Sequence, residues 1–414
     1  MSHENTEVYL VDGVRTPQGK YGGALASVRP DDLAALVVGE ALRRSGAPAE
    51  AVEEVVLGAA NQAGEDNRDV ARMAVLLAGL PDTVPGYTTN RLCASGLTAT
   101  ASAAASIRAG ELDLAIAGGV ESMTRAPWVM AKPGTPWAKP GEVADTALGW
   151  RFTNPRFTAH DESAEHPEDP RTRKVTLSMG ETAEEIAALD GLTREECDAF
   201  SVRSHERAVA AQDAGRFHRE IVPVTVRGKK DTVEVTADEG PRRGSTPETL
   251  GRLEPVFRAG GIVTAGNSSQ LSDGAAALVL ASSTAVERHG LTPRARIVVS
   301  ASAGVAPNVM GLGPVPATEK ALAKAGWTVD DLDAVELNEA FAAQSLGVLR
   351  RLKIDEQITN ADGGAIALGH PLGCSGARLL VTLLGRLERE GGRRGLATLC
   401  VGVGQGVAML VETV

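Results

Sequence analysis

Four positions carry side chains whose type and setting suit nucleophilic and acid–base chemistry. Cys93, in TTNRLCASG, follows an extended Thr-rich segment and opens an Ala-rich stretch of helical composition. A thiol at a helix N-terminus feels the macrodipole and unpaired backbone N–H groups. That setting predicts a thiol drawn down from ~8.5 toward ~7 or below. A lone Cys is otherwise a small buried apolar side chain. His370, in GGAIALGHPLGCSG, stands on a glycine-dense turn ahead of Pro371, the setting of a general base or, taken alone, of a capping or core histidine. Cys400 ends the apolar run LATLC and enters CVGVGQG, whose glycines let backbone N–H groups turn toward a ligand. The spacing superficially matches a dinucleotide fingerprint, but only VAMLVETV follows it, not a helix, so that reading is rejected. Asn338 opens NEAFAAQ where strand gives way to helix, a place where Asn is by itself an ordinary N-cap. Cys197, mid-helix among charges, and Cys374, one slot off the position matching Cys93, are assigned to packing.

The elements that must position these residues occur twice. ALRRSGAPAEAVEEVVLG from Ala41 matches ALAKAGWTVDDLDAVELN from Ala321: a helix end, a Gly stop, an acidic turn and a strand (54–57 and 334–337). NRLCASGLTATASAAASIRAGELDLAIAGG from Asn90 matches HPLGCSGARLLVTLLGRLEREGGRRGLATLCVG from His370. Strand candidates at 8–12 and 295–300 and helices at 31–45 and 317–325 complete the two copies. Strands alternating with helices predict two α/β halves with mostly parallel sheets covered on both faces. Helix 97–108 is nearly all Ala, Ser and Thr, so it belongs between the halves, where small side chains permit close approach. Loops beyond the strand ends of both halves would then converge on one site.

Residues 124–258 interrupt this pattern. They begin with a Pro- and Trp-bearing stretch, continue through the polar run HDESAEHPEDPRTRK from His160, and then read as helices from Thr182 and Thr193, the latter with a Thr193–Glu196 capping box. From Arg216 to Arg258, nine Lys/Arg face seven Asp/Glu, against a formal net charge of −11 for the whole chain. That segment is either a solvated surface or a phosphate-binding face. The acidic total argues against nucleic acid or an anionic membrane as partner. The four cysteines show no metal or disulfide spacing, no apolar run reaches membrane length, and MSHENTEVYLVDG lacks a signal peptide's design. A reducing cytoplasm is the expected setting.

RLCASG, GGVESM, TAGNSSQLSDGAAAL, LNEAFAAQ, GGAIALGHPLGCSGAR and CVGVGQG, in this order and spacing, closely resemble the thiolase family over nearly the whole chain. The resemblance implies duplicated βαβαβαββ halves in a five-layered αβαβα body with an inserted loop domain. The divisions would be 1–123 with 259–283, 124–258, and 284–414. It implies Cys93 as nucleophile, His370 as base, Cys400 as second acid/base cysteine, Asn338 as holder of a water at the enolate oxygen, and Gly402 as a backbone donor. It places coenzyme A against Arg242, Ser269, Ala265, Phe257, Met179 and Phe341. Coenzyme A is a substrate here, no cofactor is held permanently, and a homodimer or homotetramer is expected.

Many biosynthetic acetoacetyl-CoA thiolases carry His before Met-Gly-x-Thr-Ala-Glu, where this chain has Ser178. YGGALASVRPDDLAAL, NQAGEDNRDVARMAVLLAGLP, RAPWVM and GWRFTNP look much like the 3-oxoadipyl-CoA thiolases of aromatic-compound catabolism. Gly180 and Ser268 depart from that subfamily's Ser-Met-Pro-Glu-Thr-Ala-Glu and GNAS. The implied activity is cleavage of 3-oxoadipyl-CoA to succinyl-CoA and acetyl-CoA, with acetoacetyl-CoA or fatty 3-oxoacyl-CoA thiolases as alternatives. A ketoacyl synthase would lack Cys400, and a non-catalytic acyl-CoA carrier would not need all four reacting residues. A distal carboxylate calls for a cation, and Arg125, Lys132, Arg151 and Arg156 are the candidates, with the insert's tryptophans walling the acyl tunnel.

Overall fold

A computed structural model describes residues 6–157, 175–228 and 231–414. The polar run from His160 to Lys174 lies outside the described residues. In the N-terminal half the strands run in the order Gly86–Thr89, Glu54–Gly58, Leu114–Ser122, Ser272–Ser282, Val8–Arg15. The order continues into the C-terminal half as Ala295–Gly304, Gln405–Thr413, Arg394–Val401, Ala334–Leu337. The halves join edge to edge at Tyr9↔Arg296 and Leu10↔Ala295.

The sheets are mixed rather than mostly parallel. Glu54–Gly58 runs parallel to both neighbours and Ala334–Leu337 parallel to Arg394–Val401. The remaining neighbours in this order are antiparallel. The reason is local at one end: Arg394–Val401 turns straight into Gln405–Thr413 through Gly402–Gly404, with no helix between them to make a crossover. At the other, Ser272–Ser282 re-enters the sheet after the long insert and lies antiparallel between two strands.

Side-chain alternation sorts the strands into layers. Along Ser272–Ser282, Ala275, Ala277, Val279 and Ala281 join an outer core with Leu33, Val37, Ala71 and Val75 of the helices Pro30–Ser45 and Val70–Leu77. Ala276, Leu278 and Leu280 face the opposite way, into a central core. In the other half, Leu396, Ala408 and Leu410 meet the helices Pro314–Ala325 and Ala342–Leu352, while Leu399, Val407 and Met409 face the centre. The central layer is the pair of helices Ser95–Ala109 and Leu372–Glu390, one from each half. The result is helix, sheet, helix pair, sheet, helix, the expected αβαβα order.

The starts of the two central helices nearly touch. A Cβ at Gly96 would collide with the Gly373 carbonyl, and one at Gly376 with the Leu97 backbone. Small residues there bring the segments preceding both helices, which hold Cys93 and His370, to one place.

The insert contributes the hairpin Trp128–Met130 and Val143–Asp145 and the helices Met179–Asp190 and Arg194–Asp213. The first of these helices starts three residues before the expected Thr182. Ser178 and Glu181 form a reciprocal capping box that satisfies the earlier N–H groups. The second has the expected Thr193–Glu196 box. Buried Arg15, at the end of the first strand, holds Asp238 at 2.6 and 2.8 Å and Glu220 at 2.7 Å, which fastens the insert to the sheet. No helix among the described residues is long and apolar enough to cross a membrane.

Candidate active site

Cys93 lies in a single 3-10 turn, Leu92–Ala94, that leads into helix Ser95–Ala109. Leu92 is held at φ 48°, a left-handed conformation costly for a branched side chain. Side chains impose it. Asn90 Oδ1 accepts the Leu92 N–H (2.8 Å), and Ser95 Oγ accepts the Arg91 N–H (2.9 Å) while donating to the Leu92 carbonyl (2.7 Å). Cys93 as a residue is partly buried. The N–H groups of Gly402 and of Cys93 itself point at the sulfur and favour thiolate. Burial outweighs them, with the Glu121 charge adding to it, and pushes the thiol up to about 11. The expectation of a thiol drawn down by the helix terminus is therefore corrected: desolvation exceeds the effect of two N–H groups.

His370 is buried just before helix Leu372–Glu390. Its Nδ1 lies 2.6 Å from Ser375 Oγ, and that hydroxyl donates to the Pro371 carbonyl at 2.9 Å. The Ser375 proton is thus already used, so Nδ1–H must donate to Ser375 and Nε2 carries the lone pair. Asn338 Nδ2 stands 3.3 Å from Nε2, as a donor to it should. Asn338 is not an N-cap: helix Ala342–Leu352 starts later, with Phe341 at the cap position. Its Oδ1 is buried with no partner among the described residues. Burial first, then the Arg378 charge, pushes the imidazole down to about 3.

Cys400 is fully buried in a cluster with Ala183, Val263, Met310, Ala340 and Phe341, against which Met179 packs. Burial raises its thiol far above the ordinary range, and the Cys93 charge is the next cause. Gly402 closes the group: a Cβ there would stand 3.1 Å from Leu92 Cδ1 and 3.6 Å from Met179 Sδ. Cys93, His370, Asn338 and the Cys400–Gly402 segment thus arrive from four separate stretches of chain at a water-poor centre. It holds one unprotonated imidazole nitrogen and two neutral thiols. Cys374 lies in the central core and Cys197 in the outer one, as expected of packing residues.

Residues 8–284 match the family model described as thiolase, N-terminal domain, and residues 291–413 that described as thiolase, C-terminal domain. The chain belongs to the thiolase family. It is 54% identical over 411 residues to the beta-ketoadipyl-CoA thiolase of Pseudomonas aeruginosa, covering 99% of both chains. It is 53% identical over 412 residues to the 3-oxoadipyl-CoA/3-oxo-5,6-dehydrosuberyl-CoA thiolase of Escherichia coli, covering 99% of this chain and 100% of that one. Human mitochondrial 3-ketoacyl-CoA thiolase, solved in complex with CoA, superimposes with a TM-score of 0.89 at 38% identity, covering 99% of this chain and 98% of that one.

Two residues of this thiolase's centre were not assigned roles from sequence. Ser375 is one. Glu121, in GGVESM, is the other: its Oε2 accepts N–H groups from Ala60 (2.9 Å) and Gly373 (2.8 Å), and its Oε1 accepts that of Asn61 (3.1 Å). One carboxyl group thereby ties the N-terminal half to the turn beside His370. Burial pushes it up to about 7, against those three N–H groups. The available signal was an acidic residue closing the wholly buried strand Leu114–Ser122, since such a group must be partnered.

The residues expected along coenzyme A differ in their surroundings. Phe257 and Phe341 meet edge to face with centroids 6.2 Å apart. Phe257 lies so close over Gly180 that a Cβ there would enter its ring. Ser269 N–H donates to the Ala340 carbonyl at 2.9 Å, and Ala265 is exposed. In the basic segment, Arg216, Arg219, Arg243 and Arg258 pair with Asp362, Glu388, Asp213 and Glu185, which makes much of it a solvated ion-pair surface. Arg242 is exposed, and its N–H donates to buried His205 Nδ1 at 3.1 Å. Among the cations suggested for a distal carboxylate, Arg125 is occupied by Glu65 (2.5 and 2.7 Å). Lys132 lies in the exposed run 131–143, and the Arg156 side chain is outside the described residues. Trp128 and Trp137 are 74% and 95% exposed, so they wall no tunnel in this chain; the short exposed hairpin carries them outward.

Proposed function

We propose that this thiolase cleaves 3-oxoadipyl-CoA with a second CoA to succinyl-CoA and acetyl-CoA through a succinyl thioester on Cys93. What supports the chemistry is the acceptor state of His370 Nε2 set by Ser375, together with the electrostatic coupling of the Cys93 and Cys400 thiols. The substrate follows from full-length identity with enzymes that bear that substrate's name.

Burial raises the Cys93 thiol and lowers the His370 imidazole, which disfavours a resting ion pair, so the proton passes from Cys93 to His370 Nε2 as sulfur attacks C3. The N–H groups of Cys93 and Gly402 take the oxyanion. As the C2–C3 bond breaks, its electron pair moves into the thioester enolate. The imidazolium and a water on the free Asn338 Oδ1 side stabilise that enolate, and Cys400 gives C2 its proton. Acetyl-CoA leaves. The Cys400 thiolate then takes the proton of the incoming CoA, whose sulfur attacks the succinyl carbonyl. Cys93 departs and recovers its proton from His370. All protons return to their starting groups.

Ser269, Ala265, Phe257, Met179 and Phe341 would flank the pantetheine, with Arg242 at the phosphates. The enzyme works as a homodimer or homotetramer in a reducing cytoplasm. Thiolysis rates across acetoacetyl-, 3-oxohexanoyl- and 3-oxoadipyl-CoA test the substrate. The highest kcat/KM is expected for 3-oxoadipyl-CoA, and equal or faster turnover of acetoacetyl-CoA would defeat this assignment.

A further inference from the structure

We infer that Arg151 is the residue that recognises the distal carboxylate of the acyl chain. This rests on the 3-oxoadipyl-CoA reading above and names the side chain that enforces it. Three observations carry the assignment. The first is its chemical state. Arg151 is partly buried, yet no carboxylate of the described residues pairs with it. Its Nη1 has one long contact, 3.4 Å to the Thr146 carbonyl, which also receives Asn61 Nδ2 at 3.4 Å. A guanidinium is a planar fork of five donors suited to bidentate carboxylate binding, and most of this one's capacity is unspent.

The second observation is place. On one side, Thr146 Oγ1 accepts from Asn61 Nδ2 at 2.9 Å, and the Asn61 N–H donates to Glu121. Glu121 in turn holds the Gly373 N–H beside His370, and its charge acts on Cys93. On the other side, Trp150 Nε1–H donates to the Leu177 carbonyl at 3.2 Å, next to Ser178 and Met179, and Met179 faces Gly402. Residues 150 and 151 therefore bridge the Thr146–Asn61–Glu121 side of the centre and the Leu177–Met179 segment. A 3-oxoadipyl carboxyl group lies three bonds beyond the attacked carbon, so the cation that meets it must stand close to the reacting centre.

The third is backbone. Phe152, immediately after Arg151, is held at φ 51° although its side chain is 61% exposed and gains little from packing there. Strain with no packing return marks a turn kept for what it presents.

The test compares 3-oxoadipyl-CoA with 3-oxohexanoyl-CoA, which has the same carbon count and a methyl group for the carboxylate. The wild type is expected to prefer the acid. In R151Q the ratio of the two kcat/KM values should fall at least ~30-fold, because a desolvated carboxylate loses its charged partner. R151K should restore part of the ratio. A wild type without the preference overturns the substrate reading itself. A wild type with it whose R151Q variant keeps it overturns Arg151 alone. Should R151Q not fold, a structure of C93A enzyme with bound 3-oxoadipyl-CoA decides: the carboxylate on Arg151 is expected, and on any other cation the assignment fails.

Discussion

Replacing Ser375 with Ala removes the group that sets the state of His370. Ser375 is fully buried, accepts from Nδ1 at 2.6 Å and has given its own proton to Pro371. Without it, two outcomes are open to the imidazole. Nδ1–H can stay unpaired in a buried site, which costs about 1–3 kcal/mol. Alternatively the proton moves to Nε2, which abolishes the acceptor that Cys93 needs. Either way the competent state is disfavoured by about 1–3 kcal/mol, so kcat and kcat/KM should fall together by about 5- to 150-fold. Steady-state thiolysis supplies the rates, and the nitrogen chemical shifts of His370 report the tautomer directly. A folded S375A enzyme with kcat within about twofold of wild type, and Nε2 still unprotonated, would show that Ser375 does not fix the base.

Three other consequences concern the same centre. Alkylation of Cys93 by iodoacetamide in the free enzyme should speed up about tenfold per pH unit through the neutral range, because a thiol near 11 exposes more thiolate as pH rises; a plateau beginning below neutrality would reveal a resting thiolate. Cys400→Ser should still acylate Cys93 but lose exchange of the acetyl-CoA C2 protons with solvent, and near-wild-type exchange would remove Cys400 from that step. Glu121→Gln supplies one acceptor oxygen where three N–H groups need partners, so thermal stability should drop by about 1–3 kcal/mol, and an unchanged melting temperature would contradict the bridging role.

The repeat was legible because each copy must bury its own sheet: the strand at Ala334–Leu337 falls on the expected residues. Strand direction was less legible, because a hairpin such as Arg394–Thr413 and a crossover share the same apolar alternation. Cys93, His370 and Cys400 announce themselves by residue type and glycine-rich surroundings. Asn338 looked like a cap because strand and helix abut there, and only the placement of Phe341 at the cap position shows otherwise. The protonation state of the centre could not be read along the chain. It depends on how completely packing excludes water, and the burial of Cys93 outweighs the donors that sequence position predicts. Ser375 and Glu121 were overlooked for a similar reason, since their partners become visible only once the halves are packed.

The central claim is that Cys93 carries the acyl group of a 3-oxoadipyl substrate. Incubating the enzyme with 3-oxoadipyl-CoA in the absence of free CoA, then digesting it and reading the cysteine peptides by mass spectrometry, tests this directly. A succinyl adduct on Cys93 that disappears when CoA is added is the predicted result. Absence of that adduct, or its appearance on Cys197, Cys374 or Cys400 with Cys93 unmodified, would contradict the account.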